Sequence, residues 1–297
     1  MKIQAEDGAS GLLACYGSRP LNRPGPALER LVVVVHGALR DSDRYFALAA
    51  QAAGDTGTGT LIVAPQFLAH VDLRTDTPEG ILYWDVEGWK GGESAVRPAR
   101  ISSFTAMDCL LRQLTAPGRL APAAKPTVVV VGNSAGGQYV NRYAAVGRAP
   151  SDLAERGISV RFVIANPSTY LYFGEERPVP VPDPVGVNRW RYGFEAPPPY
   201  VEGTAQESLR RYLARDVTIV LGAEDNDGTA LLLEISAAAM AQGANRLERG
   251  INYDRYIRHL ADQAGLSAQH RLIQLSAVGH SAADVIAAQE TRQLLFG

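Results

Sequence analysis

The chain has 297 residues, 46% of them hydrophobic, enough to bury a large core as one α/β domain or at most two. Its formal net charge of −2 gives neither the basic footprint of a nucleic-acid binder nor a bias toward acidic substrates. No apolar run is long enough to span a membrane, and the two cysteines, Cys15 and Cys109, are isolated and lack the partners of a disulfide framework or a metal site.

The opening Met1-Lys-Ile-Gln-Ala-Glu-Asp7 has no apolar segment and does not read as a signal peptide. A cytoplasmic location is the default expectation; a chain already relieved of a leader would look the same, so secretion stays open. Residues 1–30 are rich in Gly, Pro and Ala, with Leu12 to Tyr16 the candidate for an early edge strand. Leu31-Val-Val-Val-Val35 predicts a strand buried on both faces, since β-branched side chains suit a covered, pleated surface, and His36-Gly37 closes it. Asp41-Ser-Asp43 offers N-cap side chains for a helix to about Ala53. Gly54 to Gly59 follows a helix and precedes a strand, the reverse of a phosphate-binding loop, and reads as a turn. Thr60 to Ala64 is the next strand, ended by Pro65.

Residues 66–98 then lose periodicity but hold Tyr83, Trp84 and Trp89 among glycines, which predicts an ordered insertion partly lining a pocket. Ala99 to Leu114 reads as a helix with Cys109 buried on it, and Ala116 to Pro126 as a proline-rich connection. Four consecutive valines, Val128 to Val131, predict another doubly buried strand. Directly after it Gly132, Ser134 and Gly136 spell G-x-S-x-G, and Gln138 to Val146 can carry a helix. Strand, sharp turn and helix are the context of a nucleophile elbow. The glycines leave room for a serine held in strained dihedrals, and the helix aims its free N–H groups at an adjacent anion.

Val160 to Ala165 is a strand stopped by Asn166-Pro167. A second irregular stretch, 168–203, carries Tyr170, Tyr172, Phe173, Trp190, Tyr192 and Phe194; its prolines forbid a long helix and its aromatics argue against disorder. Thr204 to Ala214 reads as a helix, Val217 to Leu221 as a strand, Ala230 to Met240 and Tyr253 to Gln263 as helices, Arg271 to Ser276 as the last strand, and a closing helix starts at Ala282. Between two of these helices, Arg246 and Arg249 read as pinning a turn through Arg–carboxylate pairs, with a substrate clamp as the alternative.

Strands alternating with helices, most of them apolar on both faces, indicate a mostly parallel central sheet with helices on both faces. Ligands of such sheets bind at the carboxyl ends of the strands. His36-Gly37, Ser134, Asn166, Asp225 and His280 all follow strands, so one sheet edge collects them.

A serine hydroxyl needs a base, and imidazole is matched to that task near neutral pH. Of the five histidines, His36 belongs to its turn, while His70, His259 and His270 lie in a loop, on a helix face and at the wrong end of a strand. His280 alone follows the final strand. The carboxylate that orients it comes from Gly222-Ala-Glu224-Asp225-Asn-Asp227, where Asp225 stands three residues after the glycine and Asp227 suits the N-cap of the next helix. The chain order is Ser134, Asp225, His280. One oxyanion donor would be the N–H of Ala135, just after the serine; His36-Gly37-Ala38-Leu39 resembles the His-Gly oxyanion turn of lipases and esterases, which implies the N–H of Ala38, with Leu39 second, as the other.

The elbow, the His36-Gly37 turn, the Gly222-x-x-Asp225 loop and Gly279-His280 together resemble the α/β-hydrolase superfamily over Leu31 to Leu295. The resemblance implies an α/β-hydrolase fold over 1–297 as a single domain, without a large helical cap. It also implies a catalytic triad of Ser134, Asp225 and His280 with an oxyanion hole at Ala38 and Ala135. Within it, the compact core resembles polyhydroxyalkanoate-depolymerase-like and feruloyl-esterase-like members. The turn lacks the further glycines of a His-Gly-Gly-Gly motif, and a serine at the elbow excludes haloalkane dehalogenase chemistry, which needs an aspartate there. The expected activity is hydrolysis of carboxylic esters, small or polymeric, through an acyl-enzyme, with neither metal nor organic cofactor. Amidase, peptidase, thioesterase or acyltransferase chemistry uses the same triad, and a non-catalytic ligand-binding member is the reading from another class. Leu39, Trp84, Trp89 and Tyr170 are the expected pocket lining, on the ground that rigid aromatic walls at the catalytic edge suit an apolar ligand.

Overall fold

The computed structural model describes residues 1–23, 25–55, 57–121, 125–181, 185–266 and 269–297. Thr56 of the 54–59 turn, 122–124 of the proline-rich connection and 182–184 of the second irregular stretch lie outside the described residues. The centre is a seven-stranded sheet built from β1 (Ala14–Gly17), β2 (Arg30–Val35), β3 (Thr60–Gln66), β4 (Thr127–Asn133), β5 (Ser159–Ala165), β6 (Asp216–Gly222) and β7 (His270–Leu275). Their order across the sheet is β7-β6-β5-β4-β2-β3-β1, with only β1 antiparallel to its neighbour. The chain therefore starts its parallel part in the middle and winds outward both ways, and β2, β4 and β5 are the central strands.

The valine runs explain this. In β2, Val33 and Val35 enter one core and Val32 and Val34 the other; in β4, Val128 and Val130 divide from Val129 and Val131 in the same way. Successive side chains of a strand point to opposite faces, so a run with no polar alternation must be covered on both. One face carries α1 (Ser42–Ala53) and, from the chain's end, two further helices, Ala282–Ala287 and Gln289–Phe296. The other carries α2 (Ser103–Leu114), α3 (Ala135–Val146), α4 (Ala149–Glu155), α5 (Ala205–Leu213) and α6 (Arg246–Gln263). Continuing the numbering, the two closing helices are α7 and α8.

Several boundaries depart from expectation. β3 continues through Pro65, because its pairing with β2 ends at Val63 and the proline breaks no ladder bond on that side. Only Ala237–Met240 of the expected 230–240 helix is helical; Leu231, Leu232 and Ile235 are exposed and only Leu233 is buried before Ala238, so the first part of the stretch has no continuous apolar face for the core. α6 starts at Arg246 rather than Tyr253: Asn245 caps it by accepting from the Glu248 N–H, so the segment read as a turn is the helix's first turns. α4 follows α3 after a two-residue break, in a stretch where no helix is expected from the sequence. Among the described residues no helix is long and apolar enough to cross a membrane.

Candidate active site

β4 and α3 meet at Ser134, which has φ 59° and ψ −120°, a left-handed φ that a non-glycine residue holds only when its surroundings force it. A Cβ on Gly132 would collide with the backbone of Gly136, and one on Gly136 with the carbonyls of Val35 and His36. The glycines are thus required by close backbone approach on both sides of the serine. The Ser134 N–H donates to the Ala165 carbonyl at 3.0 Å, tying the elbow to the end of β5.

His280 comes from the turn after β7. Its Nε2 lies 2.9 Å from Ser134 Oγ and its Nδ1 2.7 Å from Asp225 Oδ2. An ionised carboxylate only accepts, so Nδ1 carries the proton in that bond and Nε2 of the neutral ring is free to accept from the serine. Asp225 is buried, while Ser134 and His280 are half-exposed. The loops carrying Asp225 and His280 are packed against each other: the Glu224 N–H donates to the Val278 carbonyl at 2.9 Å, and a Cβ on Gly222 would strike the carbonyls of Val278 and Gly279. Asp227 is exposed and accepts from the Thr229 N–H and hydroxyl, both at 2.7 Å, closing a local turn instead of capping a helix. Glu224 is exposed as well.

Two asparagines that sequence reasoning gave no role brace this arrangement. Asn133 donates to the His280 carbonyl at 3.3 Å. Asn166, at φ 41°, accepts from the Gly222 N–H at 2.9 Å and donates to the Gly279 carbonyl at 3.2 Å. Both stand at the carboxyl ends of parallel strands, the signal that placed Asn166 at this sheet edge and that Asn133 shares.

The turn after β2 forms the other wall. His36 is buried; its Nδ1 lies 2.9 Å from the Gly37 carbonyl and its Nε2 accepts from the Phe67 N–H at 3.0 Å, and burial pushes its pKa down to about 4. It is a neutral structural group. Beyond it Arg40, at φ 57°, donates to the Ala38 carbonyl at 2.9 Å and makes a two-pronged pair with Asp72 at 2.6 and 3.1 Å. The Arg40 carbonyl in turn accepts from Gln66 at 2.6 Å. The turn is therefore fixed from several sides. Among the described residues the N–H groups of Ala38 and Leu39 have no acceptor, and that of Ala135 is the first of α3, where no helical acceptor exists.

A cavity of about 310 Å³ opens beside Ser134, with Ala38, Leu39, Arg44, Tyr45, Leu232 and His280 in its walls. Leu39 and Leu232 are 68% and 62% exposed. A larger groove of about 920 Å³ between residues 12–16 and 66–81 holds none of Ser134, Asp225 and His280.

Of the four expected lining residues only Leu39 faces the cavity by Ser134; Trp84, Trp89 and Tyr170 are buried elsewhere. Trp84 donates to the Ile101 carbonyl at 3.2 Å and meets Phe67 edge-on, and Tyr170 stacks on Tyr253 with centroids 4.4 Å apart. Aromatic area that can be dehydrated completely within the insertions packs there rather than standing in an open pocket. Arg246 and Arg249 are also buried and line no part of that cavity, so neither is placed to clamp a ligand in it. No group of three or more His, Cys, Asp or Glu side chains able to hold a metal ion occurs among the described residues.

Neither a protein-family model nor a curated protein sequence matches the chain. Solved structures do. Poly(aspartic acid) hydrolase-1 from Sphingomonas sp. KT-1 has a TM-score of 0.67 at 22% identity, over 100% of both chains. A poly(3-hydroxybutyrate) depolymerase from Bordetella parapertussis has a TM-score of 0.65 at 25% identity, over 92% of this chain and 80% of its own. A siderophore hydrolase from Aspergillus nidulans reaches 0.51 at 11% identity, over 100% of this chain and 93% of its own. With its seven-stranded, mostly parallel sheet and these likenesses, the chain has the α/β-hydrolase fold.

Proposed function

We propose that the chain is a serine hydrolase of carboxylic esters, acting through an acyl-enzyme as one α/β-hydrolase domain. The observation that carries this reading is the hydrogen-bonded line from Asp225 through His280 to Ser134, at 2.7 and 2.9 Å, opening on a cavity. In the first step the Ser134 hydroxyl proton passes to His280 Nε2 as Oγ bonds to the ester carbonyl carbon. Negative charge gathers on the carbonyl oxygen, where the N–H groups of Ala38 and Ala135 meet it; each such donor is typically worth about 10²–10³ in rate. The C–O bond to the alcohol then breaks, and the leaving oxygen takes the proton from His280. Water repeats the sequence on the acyl-enzyme, giving its proton to His280 and releasing the acid and Ser134. Asp225 holds the ring in the right tautomer and balances the imidazolium.

Ester rather than amide cleavage is supported by the 25%-identical structure named as a poly(3-hydroxybutyrate) depolymerase. The substrate is a small or polymeric ester whose acyl part reaches Ser134 between Leu39 and Leu232. A fluorophosphonate probe tests the reading: the adduct is expected on Ser134, and Ser134→Ala is expected to lose both labelling and turnover of nitrophenyl esters. No labelling would return the chain to the ligand-binding class, and an adduct on another residue would end the assignment of Ser134 as nucleophile. Faster cleavage of an arylamide control than of the esters would make it an amidase.

A further inference from the structure

We infer that Arg246 is a positioning residue for this reaction, holding the Asp225 carboxylate in place and, through it, lowering the proton affinity of His280. The inference rests on the triad reading above.

Asp225 divides its two oxygens. Oδ2 meets His280, and Oδ1 lies 3.4 Å from Arg246 Nη1, with the two side chains only 3% and 1% exposed. Among the described residues no other hydrogen bond reaches this carboxylate. A buried carboxylate requires a compensating charge. His280 cannot supply it in the free enzyme, because the ring must be neutral to accept the serine proton. Arg246 is then the full positive charge beside the acid. The other groups near the pair are Asp227, exposed on the same loop, the buried guanidinium of Arg249, which stands near that of Arg246 and has no hydrogen bond to Asp225, and Tyr170, whose hydroxyl burial keeps uncharged.

The guanidinium is itself fixed. Nε donates to Ser168 Oγ at 3.2 Å and Nη2 to the Leu231 carbonyl at 3.4 Å, while the Leu247 N–H donates to the Asp225 carbonyl at 3.1 Å. The first turn of α6 thus grips the acid by side chain and main chain together. Arg246 approaches the reacting atoms only through Asp225 and lines no part of the Ser134 cavity.

A cation on the far oxygen offsets the negative field that Asp225 exerts on the imidazole. Without it the ring holds its proton more tightly, and a higher pH is needed to free Nε2. The pH dependence of kcat/KM separates this from simple packing. Wild-type chain is first labelled with fluorophosphonate, then wild type, Arg246→Gln and Arg246→Lys are assayed on a nitrophenyl ester from pH 5 to 9. The acid limb of Arg246→Gln is expected to move up by about one pH unit, the usual size of a neighbouring-charge effect. Its kcat should fall roughly 10–100-fold with KM within about twofold, the pattern of a group that contributes only in the transition state. Arg246→Lys, which keeps the charge, should restore the limb. A limb unmoved in Arg246→Gln, or one that moves equally in both variants, overturns the inference. Should Arg246→Gln not fold, adding Asp225→Asn removes both buried charges and is expected to restore folding; a double variant that also stays unfolded overturns the pairing. Absence of Ser134 labelling in the wild type would instead sink the hydrolase reading itself.

Discussion

The ring of Trp89 lies against that of His36, their centroids 4.5 Å apart, and so packs beneath the turn that carries Ala38 instead of beside the cavity at Ser134. Phe67 stacks on the same tryptophan at 5.6 Å and is edge-on to Trp84 at 5.4 Å. The 66–98 insertion is thus a brace for the active-site turn. Trp84→Ala and Trp89→Ala should each cost about 3–5 kcal/mol of stability, the range for emptying an aromatic core site. They should lower turnover on all esters alike. Leu39→Ala and Leu232→Ala, at exposed positions, should leave stability within about 0.5 kcal/mol and change the preference among acyl lengths. Thermal melts and a nitrophenyl ester series decide between them; a chain-length change in the tryptophan variants alone would return them to the pocket.

The two aspartates after β6 make a second test. Asp225 faces His280 in the interior, while Asp227 closes a turn with Thr229 in solvent. Asp225→Asn should lose about 10⁴ in kcat, since the amide would favour the wrong imidazole tautomer. Asp227→Asn should keep most of its turnover, because an asparagine oxygen can accept the same Thr229 bonds. Equal loss in both variants would show that the loop's conformation, and not the carboxylate at 225, is what matters.

How much of this could be read in the sequence follows from periodicity. The valine runs at 32–35 and 128–131 announce doubly covered strands, and the residue after each strand lands at one sheet edge by topology alone. Ser134, Asp225 and His280 were therefore visible as strand-end residues. Arg246 was visible only as an oddity. Its helix begins with Arg-Leu-Glu-Arg-Gly, whose charged residues and Gly250 mask the start, and both arginines point inward onto carbonyls and a carboxylate. The stretch 230–240 misled in the opposite sense, its apolar residues mimicking a helix while several of them stay exposed. Aromatic residues in loops gave no sign of which side they would bury. That is decided by where His36, Phe67 and Tyr253 come to lie, which is tertiary information.

His36 predicts an acid sensitivity of folding. Its ring is buried neutral, with a pKa of about 4 against an ordinary value of 6.5. Below 6.5 the unfolded chain takes up a proton that the folded ring refuses, so this residue's contribution to stability falls as pH drops from 6.5 toward 4, then levels off. The loss integrates to about 3 kcal/mol. His270, also pushed down by burial, acts in the same direction and is common to both proteins in the comparison. Denaturant melts of wild type and His36→Gln from pH 7.5 to 4 should show the stability gap between them shrinking through that window. A constant gap would mean that the protonated ring is accommodated.

Asn166 gives the last prediction, on how the loops are held together. Its amide bridges Gly222, where the acid loop begins, and Gly279, just before His280, and its backbone sits at φ 41°. Asparagine tolerates that region better than most residues, and its side chain satisfies both a buried N–H and a carbonyl. Asn166→Ala should therefore suffer twice, through backbone strain of about 1–2 kcal/mol and through unpaired polar groups at about 1–3 kcal/mol. Asn166→Gly relieves the first loss only. Both variants should drop in kcat by about tenfold or more, because loops free to shift by a fraction of an ångström misplace His280 relative to Ser134. Melting temperature should rise from Ala to Gly while kcat stays low in both. If Gly instead recovers wild-type kcat, the amide bridge is dispensable, and the position matters only for the backbone conformation it permits.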